Sequence, residues 1–142
     1  MNRQRIYRGK RPDTGAFIEG NLFYLTDGTP CIMLYADPDN YGFDWLEVPP
    51  DTVGEFTGVT DKNSKRIFED DIARIKYEGK TYVGVIQYDA LGVFIFVARG
   101  FGWVPLYKLA DDDLTQRDGQ RLTAIEIIGN IHDNPELLEA GK

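Results

Sequence analysis

One cysteine, one histidine and one serine are all that 142 residues offer of three residue types from which many metal and nucleophile sites are built. The lone Cys31 excludes an internal disulfide framework and fits a reducing compartment. It lies in the apolar run Pro30-Cys31-Ile32-Met33-Leu34-Tyr35, where a free cysteine packs as a small hydrophobe. With His132 alone, one chain cannot assemble a zinc site of the two- or three-histidine kind. Ser64 lies in a turn-forming stretch, which argues against a Ser-His-Asp triad. Apolar runs fall well short of the roughly 20 residues that span a bilayer, so no membrane partner is expected. The basic start, Arg3 to Arg11, has no apolar core behind it, so a secretory signal is not expected and a cytoplasmic location is.

Aromatic side chains, by contrast, are abundant. Eight tyrosines, eight phenylalanines and two tryptophans accompany a 42% apolar content, enough to fill a core. The formal net charge is −7, yet Arg3, Arg5, Arg8, Lys10 and Arg11 crowd the first eleven residues. An acidic body opposes a phosphate backbone and disfavours nucleic acid as a partner. The basic arm is the feature that would still reach one; the plainer reading is a strand-flanking or solvated charge cluster.

Strand chemistry dominates the chain. Ala16 to Leu25 and Pro30 to Tyr35 flank Asp27-Gly28, a strong hairpin signal. A short strand over Asp44 to Val48 ends at Pro49-Pro50. Further strands are expected at Gly54 to Val59, Arg66 to Phe68, Asp71 to Tyr77, Thr81 to Asp89, Val93 to Arg99, Trp103 to Leu109 and Thr123 to Ile131. Turns carry Asp61-Lys62-Asn63-Ser64, Glu78-Gly79-Lys80 and Gly100-Phe101-Gly102. In Thr81 to Tyr88, Tyr82, Gly84, Ile86 and Tyr88 share one face, and Val83, Val85 and Gln87 the other. The polar stretch 111–121 reads as a loop. Asn134-Pro135-Glu136 predicts one or two helical turns at the carboxyl end. Short strands at steady spacing predict an all-β protein. A soft boundary near Thr57 to Val59 separates modules 1–58 and 59–142, with five basic against nine acidic residues in the first and eleven against fourteen in the second. No Gly/Ser linker intervenes, so the modules are expected to pack closely.

Several motifs in order resemble the phage-associated YopX family. Tyr7-Arg8-Gly9-Lys10-Arg11 with Asp13, Gly15, Phe17 and Gly20 is similar to its opening. Asp51-Thr52-Val53-Gly54-Glu55-Phe56-Thr57-Gly58 is similar to its centre, followed by Asp61-Lys62-Asn63, Lys65, Ile67-Phe68-Glu69 and Asp71-Ile72. Ile125 to Leu138 is similar to its closing run. The resemblance implies a second module like an SH3-type barrel and a prophage or related mobile element as the usual source. It brings no catalytic site. Ser64 and Asp70 stand where the family usually has glycine, at positions that call for positive φ. Serine tolerates that poorly, so Asn63 is expected to take the left-handed position at the first turn.

Little chemistry is recognisable. Asp61-Lys62-Asn63 begins like a calcium loop, but Lys65, Arg66 and Ile72 stand at its fifth, sixth and twelfth positions. Glu69-Asp70-Asp71 and Asp111-Asp112-Asp113 read as solvated turn carboxylates. Gly100-Phe101-Gly102-Trp103 has neither the third glycine nor the following helix of a phosphate-binding loop. No metal or cofactor and no catalytic residue is expected. The positive hint is aromatic: Tyr82, Tyr88, Phe101, Trp103 and Tyr107 in the second module, and Trp45 in the first, are candidate partner contacts. The expected function is non-catalytic binding or assembly through a protein partner, copies of the chain included. The alternative is a nucleic-acid accessory factor using Arg3, Arg5, Arg8, Lys10 and Arg11 with barrel aromatics. A metal-dependent hydrolase ranks below both.

Overall fold

A computed structural model describes residues 5–34, 45–110 and 121–139, and among these the chain is mainly antiparallel strand with one short helix. The expected strand Asp44 to Val48 is described from Trp45 onward, while Arg3, Tyr35, the loop 37–42 and Asp111-Asp112-Asp113 lie outside the described residues. Two compact units divide the chain, Met1–Phe56 and Thr57–Lys142.

In the first unit, β1 (Tyr7–Lys10), β2 (Phe17–Tyr24), β3 (Pro30–Leu34) and β4 (Trp45–Glu47) form a sheet in the order β4-β3-β2-β1. The Asp27-Gly28 turn joins β2 to β3. Gly28 takes φ +91°, and the Asp27 carboxylate accepts the Thr29 N–H at 3.0 Å. That hydrogen bond holds the Asp27 carboxyl below its usual range. Ile6, Cys31, Ile32 and Val48 are buried. Gly9 lies so close to Val48 that a Cβ there would meet its methyl at 2.7 Å. Within the amino-terminal basic run, Arg8 and Lys10 belong to a strand: β1 pairs with β2 on one side and with β5 (Gly54–Thr60) on the other, at Tyr7↔Glu55 and Arg8↔Gly54.

The division between the units falls within β5, whose later residues run beside β6 (Arg66–Phe68) in the second unit. There, β7 (Asp71–Tyr77), β8 (Lys80–Tyr88), β9 (Phe94–Ala98), β10 (Gly102–Pro105) and β11 (Ile125–Asn130) make a sheet ordered β10-β9-β8-β7-β11. The expected barrel is not what forms among the described residues: the five strands leave β10 and β11 as edges and do not close. The strand predicted for Trp103 to Leu109 stops at Pro105 and gives way to a 3-10 turn over Leu106–Ala110. Proline cannot donate to a ladder, so the strand ends there. Between β7 and β8, Glu78 and Gly79 both take positive φ, +50° and +80°, the backbone of a tight two-residue hairpin.

Alternation sorts the sheet. Ala73, Ile75, Ile86, Phe96, Ala98, Val104, Ile125 and Ile127 point to one face and join Ile67, Leu106 and Leu122 in the core. Gly84 belongs to this face because a Cβ there would strike the carbonyl of Val97 and the Phe96 ring.

Two acidic residues are buried: Asp61 in the first turn, and Asp71, which the sequence reads as a solvated turn carboxylate. Asp61 accepts the N–H groups of Asn63 (2.8 Å), Lys65 (2.9 Å) and Ile127 (2.8 Å). Asp71 accepts the Phe68 N–H at 2.7 Å. Short carboxyl chains satisfy backbone donors that strands and turns leave over, and removing one strands those donors. In the same turn the left-handed residue is Ser64 itself, at φ +65°, not Asn63; Asp70 sits at φ +70°. The Ser64 N–H is held by the Asp61 carbonyl at 2.9 Å, which fixes that geometry whatever side chain occupies the position.

Two outcomes follow for stability. Asp61→Ala leaves three N–H groups without their acceptor and is expected to destabilise by at least about 3 kcal/mol in urea unfolding; a loss under ~1 kcal/mol would refute its anchoring role. Ser64→Gly removes left-handed strain of about 1–2 kcal/mol, against a chain-entropy cost of roughly 0.5–1 kcal/mol. The expected net is a melting temperature higher by about 2–4 °C, and an unchanged or lower one would contradict it.

Candidate interaction surface

The face of the second-unit sheet opposite its core carries Ile72, Arg74 and Lys76 on β7, Val83, Val85 and Gln87 on β8, Ile95 and Val97 on β9, and Trp103 and Pro105 on β10. The register aligns them in rows. Trp103 lies opposite Val97, Val97 opposite Val85, and Val85 opposite Ile72. Directly opposed side chains stand about 4.5–5.5 Å apart at Cβ, so such a row is a continuous apolar ribbon. Its outer end is open: Trp103 is 62% exposed.

Beside this row lies a groove of about 560 Å³ formed by Val83, Val85, Val97, Arg99 and the helix residue Leu138, floored by Gly84 and Ala98. The helix, α1 (Glu136–Glu139), packs on β8. Gly129 makes its return possible. A Cβ at Gly129 would lie 2.6 Å from the Asn134 side-chain oxygen, which accepts the Asn130 N–H at 3.3 Å. Arg74 pairs with Glu126 at 2.8 Å across to β11. Glu126 also stands 3.9 Å from Lys62.

The six aromatic candidates do not gather into one patch. Tyr82 and Phe101 are half-buried against the core, their rings 4.7 Å apart, with Tyr77 at 5.3 Å and Phe96 at 5.8 Å from Phe101. They fill space. Tyr88 is exposed but leans its ring on Phe94 at 5.0 Å. Tyr107, exposed on the 3-10 turn, borders a smaller cavity of about 190 Å³ with Thr57, Val59, Val93, Phe94, Leu106 and Leu122, on the core side of the sheet. Trp103 and Tyr107 therefore belong to different surfaces. In the first unit, Trp45 is exposed and meets Phe23 edge-on at 5.7 Å. Tyr24, exposed at the end of β2, and Leu138 were not picked out from sequence. The adjacent leucines in Glu136-Leu137-Leu138-Glu139 were the available signal for the second.

The basic candidates are mostly engaged within their own unit. Arg8 is buried, with its guanidinium 4.3 Å above the Phe17 ring, and Lys10 lies 5.5 Å from the same ring. Arg11 is bound to Asp13 through two contacts of 3.1 and 3.0 Å, a hydrogen-bonded pair that raises the guanidinium pKa and lowers that of the carboxyl. Arg5 is exposed. Among the described residues no three His, Cys, Asp or Glu side chains are placed together to hold a metal ion, and no helix is long and apolar enough to cross a membrane. His132 Nε2 stands 3.5 Å from Asp70 Oδ2, beside the end of β11.

The family model described as YopX protein matches residues 6–139. The chain belongs to the YopX family. Comparison with curated proteins finds no match. The YopX match spans both units, so the first sheet, the Asp61 turn and the Gly129–Asn134 reversal all lie within the matched length.

Cys31, fully buried on β3, has its thiol pKa pushed up by burial first and by the charges of Glu47 and Asp27 after it. A thiol held neutral only in the folded state contributes stability that is complete below its ordinary pKa and falls as pH rises above it. Two results are expected: denaturant midpoints drop through the alkaline range in the native chain but not in Cys31→Ala, and a thiol reagent at pH 8 labels Cys31 no faster than the chain unfolds. Rapid labelling of folded protein would contradict this placement.

Proposed function

We propose that this YopX chain is a non-catalytic binding protein that acts through protein–protein contacts, with the Trp103 face of its second unit as the contact surface. One observation carries the proposal: a mostly exposed tryptophan terminates a cross-strand apolar row beside an open groove. Large aromatic side chains on a rigid sheet are the usual energetic anchors of interfaces, because they lose little entropy on contact and bury much area. The groove's size falls in the range of side-chain and ligand pockets, roughly 300–1,000 Å³.

A protein partner is favoured over nucleic acid on two grounds. The chain's formal charge is −7, and Arg8, Lys10 and Arg11 have partners in their own unit. We read the setting as a cytoplasmic protein of phage or prophage origin, with a second module related to small SH3-like barrels in strand number and short Gly-bearing turns. In that reading the sheet serves as a scaffold and assembly is the task; the partner is a protein, copies of the chain included.

Trp103→Ala is the direct test. Because the residue is exposed, its removal is expected to leave the melting temperature within about 2 °C of the native chain. It should weaken self-association by sedimentation, or capture of protein partners from induced cells, by at least roughly tenfold, the scale of a 1–2 kcal/mol anchor. Unchanged association and an unchanged set of captured proteins would remove Trp103 from the interface.

A further inference from the structure

Four segments of the second unit surround the cavity of about 190 Å³ on the core side of the sheet. Val59 comes from β5, Val93 and Phe94 from the entry to β9, Leu106 and Tyr107 from the 3-10 turn, and Leu122 from the chain returning toward β11. The walls are pinned. The Leu122 N–H donates to the Thr60 carbonyl at 2.7 Å, which ties the returning chain to β5. The Asp89 N–H donates to the Val93 carbonyl at 2.8 Å and holds the β8–β9 hairpin. The Tyr88 ring braces Phe94 at 5.0 Å. Pro105 ends β10, and the turn that follows buries Leu106 while Tyr107 stays 55% exposed at the cavity's border. A void between fixed walls persists, because its lining cannot collapse to fill it.

No charged side chain lines this space, and its polar side chains are Thr57 and Tyr107. The Thr57 hydroxyl is already engaged: it donates to the Ile67 carbonyl at 2.8 Å and accepts the Val59 N–H at 3.4 Å. An ordered water needs roughly two to four polar partners, and these side chains supply few, so water here is readily displaced. A charged guest is disfavoured for a matching reason, since no lining side chain carries the opposite charge. Size narrows the choice further. A dry cavity of roughly 150 Å³ lined by leucine, isoleucine and phenylalanine takes benzene, and this one is slightly larger. Phe94 and Tyr107 bring rings against which a flat guest packs edge-to-face.

We propose that this cavity is a binding site for one small, uncharged aromatic compound of benzene to indole size, entering past Tyr107. Among the lining residues only Tyr107 is exposed, which leaves a polypeptide carrying such a ring little surface to rest on and favours a free compound. The site is separate from the Trp103 face in position and in chemistry, so the two stand or fall independently.

Indole, phenol and benzoate are the probes, added to the full chain and followed by methyl chemical shifts in NMR spectra. Indole is expected to bind with a dissociation constant on the order of 1 mM or tighter, moving the methyl signals of Val59, Val93, Leu106 and Leu122. Phenol should bind as well. Benzoate, a ring of similar size that carries a charge, should bind at least about tenfold more weakly. Val93→Phe places a ring in the space from its own wall and should weaken indole binding by roughly tenfold or more while the fold is kept. Tyr107→Ala, at an exposed position, gives a second reading and should cost about threefold or more. No binding of indole at about 10 mM, equal binding of benzoate, or shifts confined to Val85 and Val97 would overturn the proposal. So would unchanged affinity in a folded Val93→Phe chain, or in Tyr107→Ala where the first variant fails to fold. A native oligomer dispersed by Val93→Phe would hand the cavity to an aromatic side chain of a second copy and overturn the assignment to a free compound.

Discussion

The second unit hangs on the side-chain oxygens of Asp61. They accept backbone N–H groups from Asn63 and Lys65 in the adjoining turn and from Ile127, 66 residues further on, and the residue is fully buried. Local and long-range order thus meet in one group. The Lys62 N–H adds a fourth link, to the Ile125 carbonyl at 2.9 Å, so the turn lies along the outer edge of β11 and satisfies groups that an edge strand would otherwise present to solvent. Hydrogen bonds to a charged acceptor contribute about 1.5–3 kcal/mol each. No apolar residue could substitute, because the need is for acceptors. The same logic explains Asp71, which holds the Phe68 N–H where β6 turns into β7.

With β11 fixed on one edge, the sheet's two faces are set by alternation alone. The core face takes Ile75, Ile86, Phe96 and Ile125, and the opposite face receives Ile72, Val85, Val97 and Trp103 in a single row. A one-residue slip would exchange them. The positions of Gly84 and Asp70 oppose such a slip: Gly84 leaves no room for a Cβ against β9, and Asp70 joins the end of β11 to β8 through the Ile131 N–H and its own N–H to the Ile86 carbonyl. The candidate surface is thus a consequence of register, not a patch added to a finished fold.

Much of this was legible in the chain. The bounds of β6 and β7 coincide with those read from residues, because polar and glycine-bearing turns end the apolar runs abruptly. The faces of Tyr82 to Tyr88 were legible for the same reason. What escaped depended on distant partners. β1 looked like a basic arm because Arg8 and Lys10 carry charge, yet both side chains lie over the Phe17 ring and the strand's backbone pairs with β2 and β5. The anchoring role of Asp61 stayed hidden because nothing nearby in sequence announces the Ile127 N–H. Aromatic residues were overcounted as surface anchors: Phe101 reads identically to Trp103 in sequence, but its ring lies among Tyr77, Tyr82 and Phe96.

The contrast between Phe101 and Trp103 also bears on function. Both lie at the β9–β10 hairpin, two residues apart, and two residues on a strand point to the same side. They part because Gly100 and Gly102 take positive φ, +81° and +96°, so the turn rotates Phe101 into the core before β10 begins. Trp103 then falls on the opposite face, opposite Val97, with an apolar row behind it and no core demand on its ring. A tryptophan in that position brings the fold little of the burial that normally justifies one. Water contact over so large an apolar surface is unfavourable by about 25 cal/mol per Å², which makes the residue costly in isolation and useful once another surface covers it. The helix that ends the matched length packs on β8, where Leu138 lines the groove with Val85 and Val97, and Trp103 stays exposed beyond them on β10. The fold therefore places its most exposed tryptophan and a helix with no buried residue on one sheet face, opposite the face that builds the core.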